Sequence, residues 1–380
     1  MYRKKISYGK QYIDSKDIKS VIDTLKKERI TTGEMVEKFE RKINNFLNCK
    51  FSLTCNSGTS ALFLAFQAIN IKKNDNIIMP SINFISSYNV AKLFGAKVFL
   101  ADVDKTTGQM RPNDILNCCK KFKLKKIKAL IVMYNGGYPQ NADSFKQLKK
   151  KLGCIIIEDA CHALGAEYIN KKKKYRIGSC KHSDISTFSL HPLKTITTGE
   201  GGIVTTNSNV YYNKIKRFRS LGIERIKSYH WKYDVIQNGF NFRLTDFQCA
   251  LGISQLKKIK KFIKKRKIIA KKYRKDLKNN PNISFPIQDK NYLSSHHLFL
   301  INLKKFNLVK KDKFINYMKN KKIYLQYHYI PVYNFKIFEG KFINKNSEIY
   351  YNTTISLPIY YTLSTKEQNY VINCIKNYFK

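Results

Sequence analysis

Short apolar runs alternate with stretches of helical spacing through the first half of this chain, and that alternation limits the fold more than any other feature. Residues 51–55 read Phe-Ser-Leu-Thr-Cys, and Asn56-Ser57-Gly58-Thr59-Ser60 then opens an apolar helix to about Ala68. The pattern returns as a strand at 77–79 ending at Pro80 with a helix over 84–94, a strand at 96–100 ending near Asp102, a strand at 129–133 with a helix over 144–152, and a strand at 154–157 closing on Glu158-Asp159. Further strands are predicted at 185–188 and 202–206. Runs this apolar have no polar side to turn to water, so each strand needs cover on both faces. The fold class is therefore α/β, a mostly parallel sheet between helical layers.

Residues 15–47 predict two helices around a loop at Thr31-Thr32-Gly33, with Phe39, Ile43, Phe46 and Leu47 recurring at helical spacing. A long helix over 246–277 joins a large domain, residues 1–250, to a smaller C-terminal α+β domain, residues 251–380. The smaller domain holds the run 297–302, a helix near 311–320, the run 323–329 and a last helix near 366–379. A length of 380 residues exceeds one ordinary core and suits two.

The formal net charge is +46, from 72 Lys+Arg against 26 Asp+Glu, which points to anionic partners. The charge is spread along the chain, mainly as lysine, and is densest at 171–174 and 257–267. Arginine, the better reader of bases and phosphates, is scarce, so we read a solvated surface with a local subset steering an anionic substrate, and no nucleic-acid footprint. Nine cysteines without a C-x-x-C pair favour reduced thiols and a cytoplasmic protein. The start, MYRKKISYGK, lacks a signal-like apolar run, and no stretch nears the roughly 20 apolar residues of a membrane span.

Three places bring chemistry-bearing residues onto this frame. Ser57-Gly58-Thr59 stands at a helix start, where free N–H groups and the positive helix end favour a phosphate. The same residues also suit an ordinary helix cap. Asp159 ends a buried strand on the side where open parallel sheets bind ligands. It either pairs with a pyridinium nitrogen or caps a helix over 160–163. Lys194 lies between Ser189-Leu190-His191-Pro192-Leu193 and Gly199-Glu200-Gly201-Gly202. Enclosed in a cleft, its amine would lose charge and form a Schiff base; in so lysine-rich a chain the bland alternative is a surface lysine. His162, His191 and His328 lack metal-ligand spacing, Phe84 stands at a strand-to-helix junction, and Asn241 reads as a turn residue in Gly239-Phe240-Asn241-Phe242-Arg243-Leu244.

In this order, Thr31-Thr32-Gly33 with Phe39-Glu40, then residues 56–62, 158–165, 188–202 and 239–244, resemble the DegT/DnrJ/EryC1/StrS sugar aminotransferase family over essentially the whole chain. The resemblance implies the PLP-dependent transferase fold type I, aspartate aminotransferase-like. It implies that Lys194 carries pyridoxal 5'-phosphate, with pyridoxamine 5'-phosphate formed between two half-reactions, and that Asp159 pairs with the ring nitrogen. Phe84 would lie against the ring, and Ser57, Gly58, Thr59 and Ser189 would hold the phosphate. His162 would face the phenolic oxygen, where many members carry glutamine. Lys194, Asp159 and His162 are thus the catalytic candidates. Asn241 would reach the phosphate in the neighbouring subunit, which implies a homodimer with shared active sites.

Residues 162–168, 194–202 and 327–333 closely resemble the aminotransferases of pseudaminic acid biosynthesis, which act on UDP-4-keto-6-deoxy-N-acetyl-beta-L-altrosamine. Tyr333 stands where many family members carry a second histidine. The resemblance implies a UDP-linked keto-sugar substrate and glutamate as amino donor. Two other readings stay open: amination of another nucleotide 3- or 4-keto sugar, and a non-catalytic PLP-binding regulatory protein. A dehydratase is disfavoured, because those relatives replace the lysine with histidine.

Overall fold

The computed structural model describes residues 5–226, 228–229, 231–340 and 342–380; the first four residues of the amino-terminal segment read above lie outside the described residues. Seven strands form one sheet in the spatial order Phe51–Cys55, Gly202–Thr206, Ile185–Ser189, Ile155–Asp159, Ala129–Met133, Asn76–Pro80 and Lys97–Ala101. Gly202–Thr206 pairs antiparallel with both of its neighbours, and the remaining strands run in parallel. Successive side chains take opposite faces, as a period of two requires. Leu130, Val132 and Ile156 join one apolar cluster with Phe39 and Phe188, while Ala129, Ile131 and Ile157 join another with Leu53 and Ile77. Both faces are covered, which is why these strands read as unbroken apolar runs.

The helix Asp246–Leu277 links this sheet to the C-terminal part. Thr245 caps it, its hydroxyl donating to Gln248 Oε1 at 2.8 Å. The buried Asp246 carboxylate accepts from the Gly33 and Met35 N–H groups at 2.8 and 2.9 Å, tying this helix to the start of helix Glu34–Leu47. Cys249, Ala250, Ile253 and Leu256 pack into the first cluster, whereas Ile269, Ala270, Tyr273 and Leu277 pack into a third one with Ile6, Phe299, Ile301 and Phe314. The proposed division near residue 250 therefore falls on a helix that both cores share. The third core lies on a small antiparallel sheet of Ile283–Ser284, Phe299–Leu303 and Thr354–Leu357, with the helices Leu308–Asn320 and Thr365–Tyr378.

Two local expectations change. The helix predicted over 84–94 is Ser86–Leu93, so Phe84 stays in the loop before it. No helix follows Asp159; residues 160–165 turn through Ala163 N–H to Ala160 C=O at 2.7 Å. The run 323–329 makes isolated bridges only, Ile6 with Ile323 and Gln326 with Ser356. Among the described residues no helix is long and apolar enough to cross a membrane.

Candidate active site

The parallel strands end on one side of the sheet, and the segments leaving those ends enclose a cleft of about 470 Å³. Ser57, Gly58, Thr59, Phe84, Asp159, His162, Ser189 and Lys194 all line it, joined from the C-terminal part by His297, His328 and Tyr329. Ser57 and Lys194, 137 positions apart in the sequence, meet there because each follows a strand of one sheet.

Ser57 does cap helix Gly58–Ala68, its Oγ accepting from Ser60 N–H at 3.0 Å. The cap leaves the N–H groups of Gly58 and Thr59 without a partner among the described residues. Two free donors at a positive helix end are what an anion needs. A Cβ on Gly58 would lie 2.8 Å from the Ser189 Cβ, and one on Gly202 would lie 2.1 Å from the Ser57 carbonyl oxygen. Only glycine lets these three segments come so close and leave a cradle.

Lys194 sits in a loop clamped at both ends: Leu190 N–H donates to Gly201 C=O at 2.8 Å, and Thr198 N–H to Leu190 C=O at 3.1 Å. Its ammonium makes no hydrogen bond or ion pair among the described residues. Burial lowers its pKa, against the pull of Cys161 and Asp159, and so favours the neutral amine. Asp159 is 3% exposed. Its Oδ2 accepts from Ser87 Oγ at 3.1 Å and its Oδ1 from Cys161 N–H at 3.3 Å. The capping role survives as that one bond in a turn.

His162 is 2% exposed; its Nδ1 faces Gly136 N–H at 3.3 Å and its Nε2 faces Tyr329 Oη at 2.8 Å. Burial, then Lys194, His297 and His328, hold its pKa well below the usual histidine value. Phe84 is 53% exposed, its ring 5.7 Å from that of Tyr329. Asn241 does not line this cleft; it is exposed and bridges Ser220. Arg243 lines a separate cleft with Glu40, Arg219 and Thr32.

Asn83 escaped the sequence reading. It is 1% exposed, lines the cleft, and neither of its amide atoms has a protein partner. A buried amide left unpaired costs about 1–3 kcal/mol, and a ligand in the cleft would meet that need. His297 was missed as well, with no local motif to mark it, and Tyr329, although it lies in the run 327–333, was given no role of its own. The donor set fits pyridoxal phosphate: an anion cradle at Gly58 and Thr59, a carboxylate at Asp159 for a protonated ring nitrogen, a flat aromatic at Phe84 and a desolvated amine at Lys194.

The DegT/DnrJ/EryC1/StrS aminotransferase family matches residues 11–376. A UDP-4-amino-4,6-dideoxy-N-acetyl-beta-L-altrosamine transaminase of Campylobacter jejuni serotype O:23/36 is 35% identical over 376 residues, covering 96% of this chain and 95% of its own. A GDP-perosamine synthase of Escherichia coli O157:H7 is 30% identical, covering 91% of each chain. Helicobacter pylori PseC, an aminotransferase involved in the biosynthesis of pseudoaminic acid, superposes with a TM-score of 0.92 at 29% identity over 99% of each chain. The aminotransferase TlmJ of Streptoalloteichus hindustanus shares the fold at 20% identity, with a TM-score of 0.90 over 98% of each. The architecture is the PLP-dependent transferase fold type I.

Proposed function

This chain belongs to the DegT/DnrJ/EryC1/StrS aminotransferase family, and from that premise we propose that it converts a nucleotide-linked 4-keto-6-deoxy sugar to the 4-amino sugar with pyridoxal phosphate as cofactor and glutamate as donor. The substrate in this reading is UDP-4-keto-6-deoxy-N-acetyl-beta-L-altrosamine, the pathway that of pseudaminic acid. The observation that carries the chemistry is an enclosed Lys194 amine with no competing partner, in one cleft with Asp159 and an anion cradle. Similarity to the Campylobacter and Helicobacter transaminases supports the sugar.

When bound, pyridoxal phosphate supplies an electron sink for proton removal beside a carbon–nitrogen bond. The protein's part is to place and to move protons. Gly58 and Thr59 N–H groups, with the Ser189 hydroxyl, hold the phosphate. Asp159 keeps a proton on the ring nitrogen, and Phe84 covers the ring. Lys194 Nζ takes the proton from the donor's α-carbon and, in the second half-reaction, returns one to the sugar carbon that becomes C4–H. The walls contributed by His297, His328 and Tyr329 keep bulk water from the reacting atoms.

We also propose a homodimer in which Asn241 reaches the cofactor phosphate of the neighbouring subunit. Asn241 is exposed and outside its own cleft, and Val235 and Phe240 in the same region are 55% and 51% exposed, an apolar surface suited to a second copy.

Mass spectrometry and NMR of the product, formed from that UDP-keto-sugar with glutamate and pyridoxal phosphate, test the reading against the C4-epimeric series. A UDP-linked 4-amino altrosamine product is expected. Amination of the epimeric series alone, or of a GDP-linked keto sugar alone, would overturn the assignment of the sugar; the GDP-perosamine synthases favour that second reading.

A further inference from the structure

Both ring nitrogens of His162 lie within hydrogen-bond distance of protein groups, Nδ1 of Gly136 N–H and Nε2 of Tyr329 Oη. Gly136 N–H can only donate, and it points at Nδ1. A neutral imidazole with a bare Nδ1 carries its hydrogen on Nε2. That hydrogen is directed to Tyr329 Oη, so the imidazole donates and the phenol accepts. Tyr329 makes no other hydrogen bond among the described residues, and it lines the cleft that holds Lys194 and Asp159. The phenol's own hydrogen is therefore left without a protein acceptor. Burial beside Asp159 raises the phenol's pKa well above its ordinary value, so the hydrogen stays in place.

We propose that Tyr329 is the hydrogen-bond donor to an oxygen of the bound ligand at the reacting centre, and that His162 is the positioning residue that turns the phenol's O–H into the cleft. The proposal rests on the reading that pyridoxal phosphate and a keto sugar meet in this cleft. Two oxygens have the required chemistry: the cofactor's phenolic oxygen and the sugar's carbonyl oxygen. A glutamine at 162 would present the same order of groups, its Oε1 accepting from Gly136 and its Nε2–H donating to Tyr329, whereas leucine would present neither.

Nitrogen-15 NMR of labelled histidine reads the first link without cofactor: a bare Nδ1 and a protonated Nε2 at His162 are expected, and the opposite tautomer would overturn the proposal even if PLP binds normally. Absorbance titration of the PLP-loaded protein without sugar reads the second. If the phenolic oxygen is the acceptor, Tyr329→Phe and His162→Leu shift the pH midpoint by about one unit, and His162→Gln restores it. If the sugar carbonyl is the acceptor, the midpoint holds while kcat on the keto sugar falls about tenfold or more at nearly constant KM in Tyr329→Phe. An unmoved midpoint together with unchanged kcat would refute the donor role. Failure of PLP to bind the wild-type protein, with the Nε2–H tautomer intact, would instead refute the proposed function.

Discussion

Lys311 is buried and Lys194 half-buried in its cleft, and their surroundings separate a reactive amine from a structural one. Lys311 is fully buried; its ammonium meets the Tyr351 carbonyl and lies 4.1 and 4.5 Å from the ring centroids of Tyr327 and Tyr351. Burial brings its pKa down to about 7, yet its charge is cradled by a carbonyl and two π faces. Lys194 has burial without such partners. Lys194→Ala should abolish both the Schiff-base absorbance and turnover, as visible spectra and rate assays would show; normal activity would remove its role. Asp159→Asn should weaken cofactor binding roughly 10- to 100-fold, the worth of about 1.5–3 kcal/mol for a bond to a charged group, and slow α-proton exchange of the donor. Equilibrium dialysis and deuterium exchange measure the two effects, and if both stay at wild-type values the pairing with the ring nitrogen is wrong.

At the scale of elements, close approach decides whether a cradle exists. Gly202 pairs with Cys55 across the antiparallel edge, and its missing side chain is the room taken by the Ser57 carbonyl. Gly202→Ala should cost about 1–3 kcal/mol of stability through overpacking. It should also lower cofactor affinity, because the backbone that shifts is the one presenting Gly58 and Thr59. Thermal melts with and without pyridoxal phosphate check this: a larger loss in the loaded protein is expected, and equal losses would mean that the cradle is unaffected. Sequence patterning located the long strands and the helix Asp246–Leu277, whose periodicity extends over many residues. It missed the hairpin of Glu167–Asn170 and Lys173–Arg176. The turn there is Lys171-Lys172, with φ of 47° and 65°, a left-handed pair normally signalled by Asn-Gly. A run of four lysines advertised charge and concealed geometry.

Across the whole molecule, burial of histidine gives the fold a pH dependence. His162, His297 and His328 are buried and His296 is half-buried; loss of solvent, then nearby cationic groups, lowers the pKa of each, with His328 pushed down to about 3 and His296 to about 4. Each binds a proton more readily when unfolded, so its contribution is complete above pH of about 6.5 and is lost as pH falls toward the folded value. Every histidine kept neutral adds a slope of about 1.4 kcal/mol per pH unit below that point. Urea midpoints should therefore drop steadily from pH ~7 to ~5, and His296→Gln should flatten the slope by about one proton's worth. A flat profile over that range would show that these rings are charged in the folded protein. The nine cysteines add no covalent constraint, since all are free thiols.

The α/β alternation, the two-helix start, the long connecting helix and most of the cleft's residues were written in the sequence, because hydrophobic period, glycine placement and strand ends are local properties. The tertiary structure alone decided that Phe84 stands in a loop, that Asn83 is buried without a partner, and that Tyr329 arrives opposite His162. The hydrogen on that imidazole is set by a backbone N–H 26 residues away, and its partner phenol lies 167 residues away. Which side chains share a hydrogen bond depends on how strands and loops close in space, and chain order carries no record of that closure.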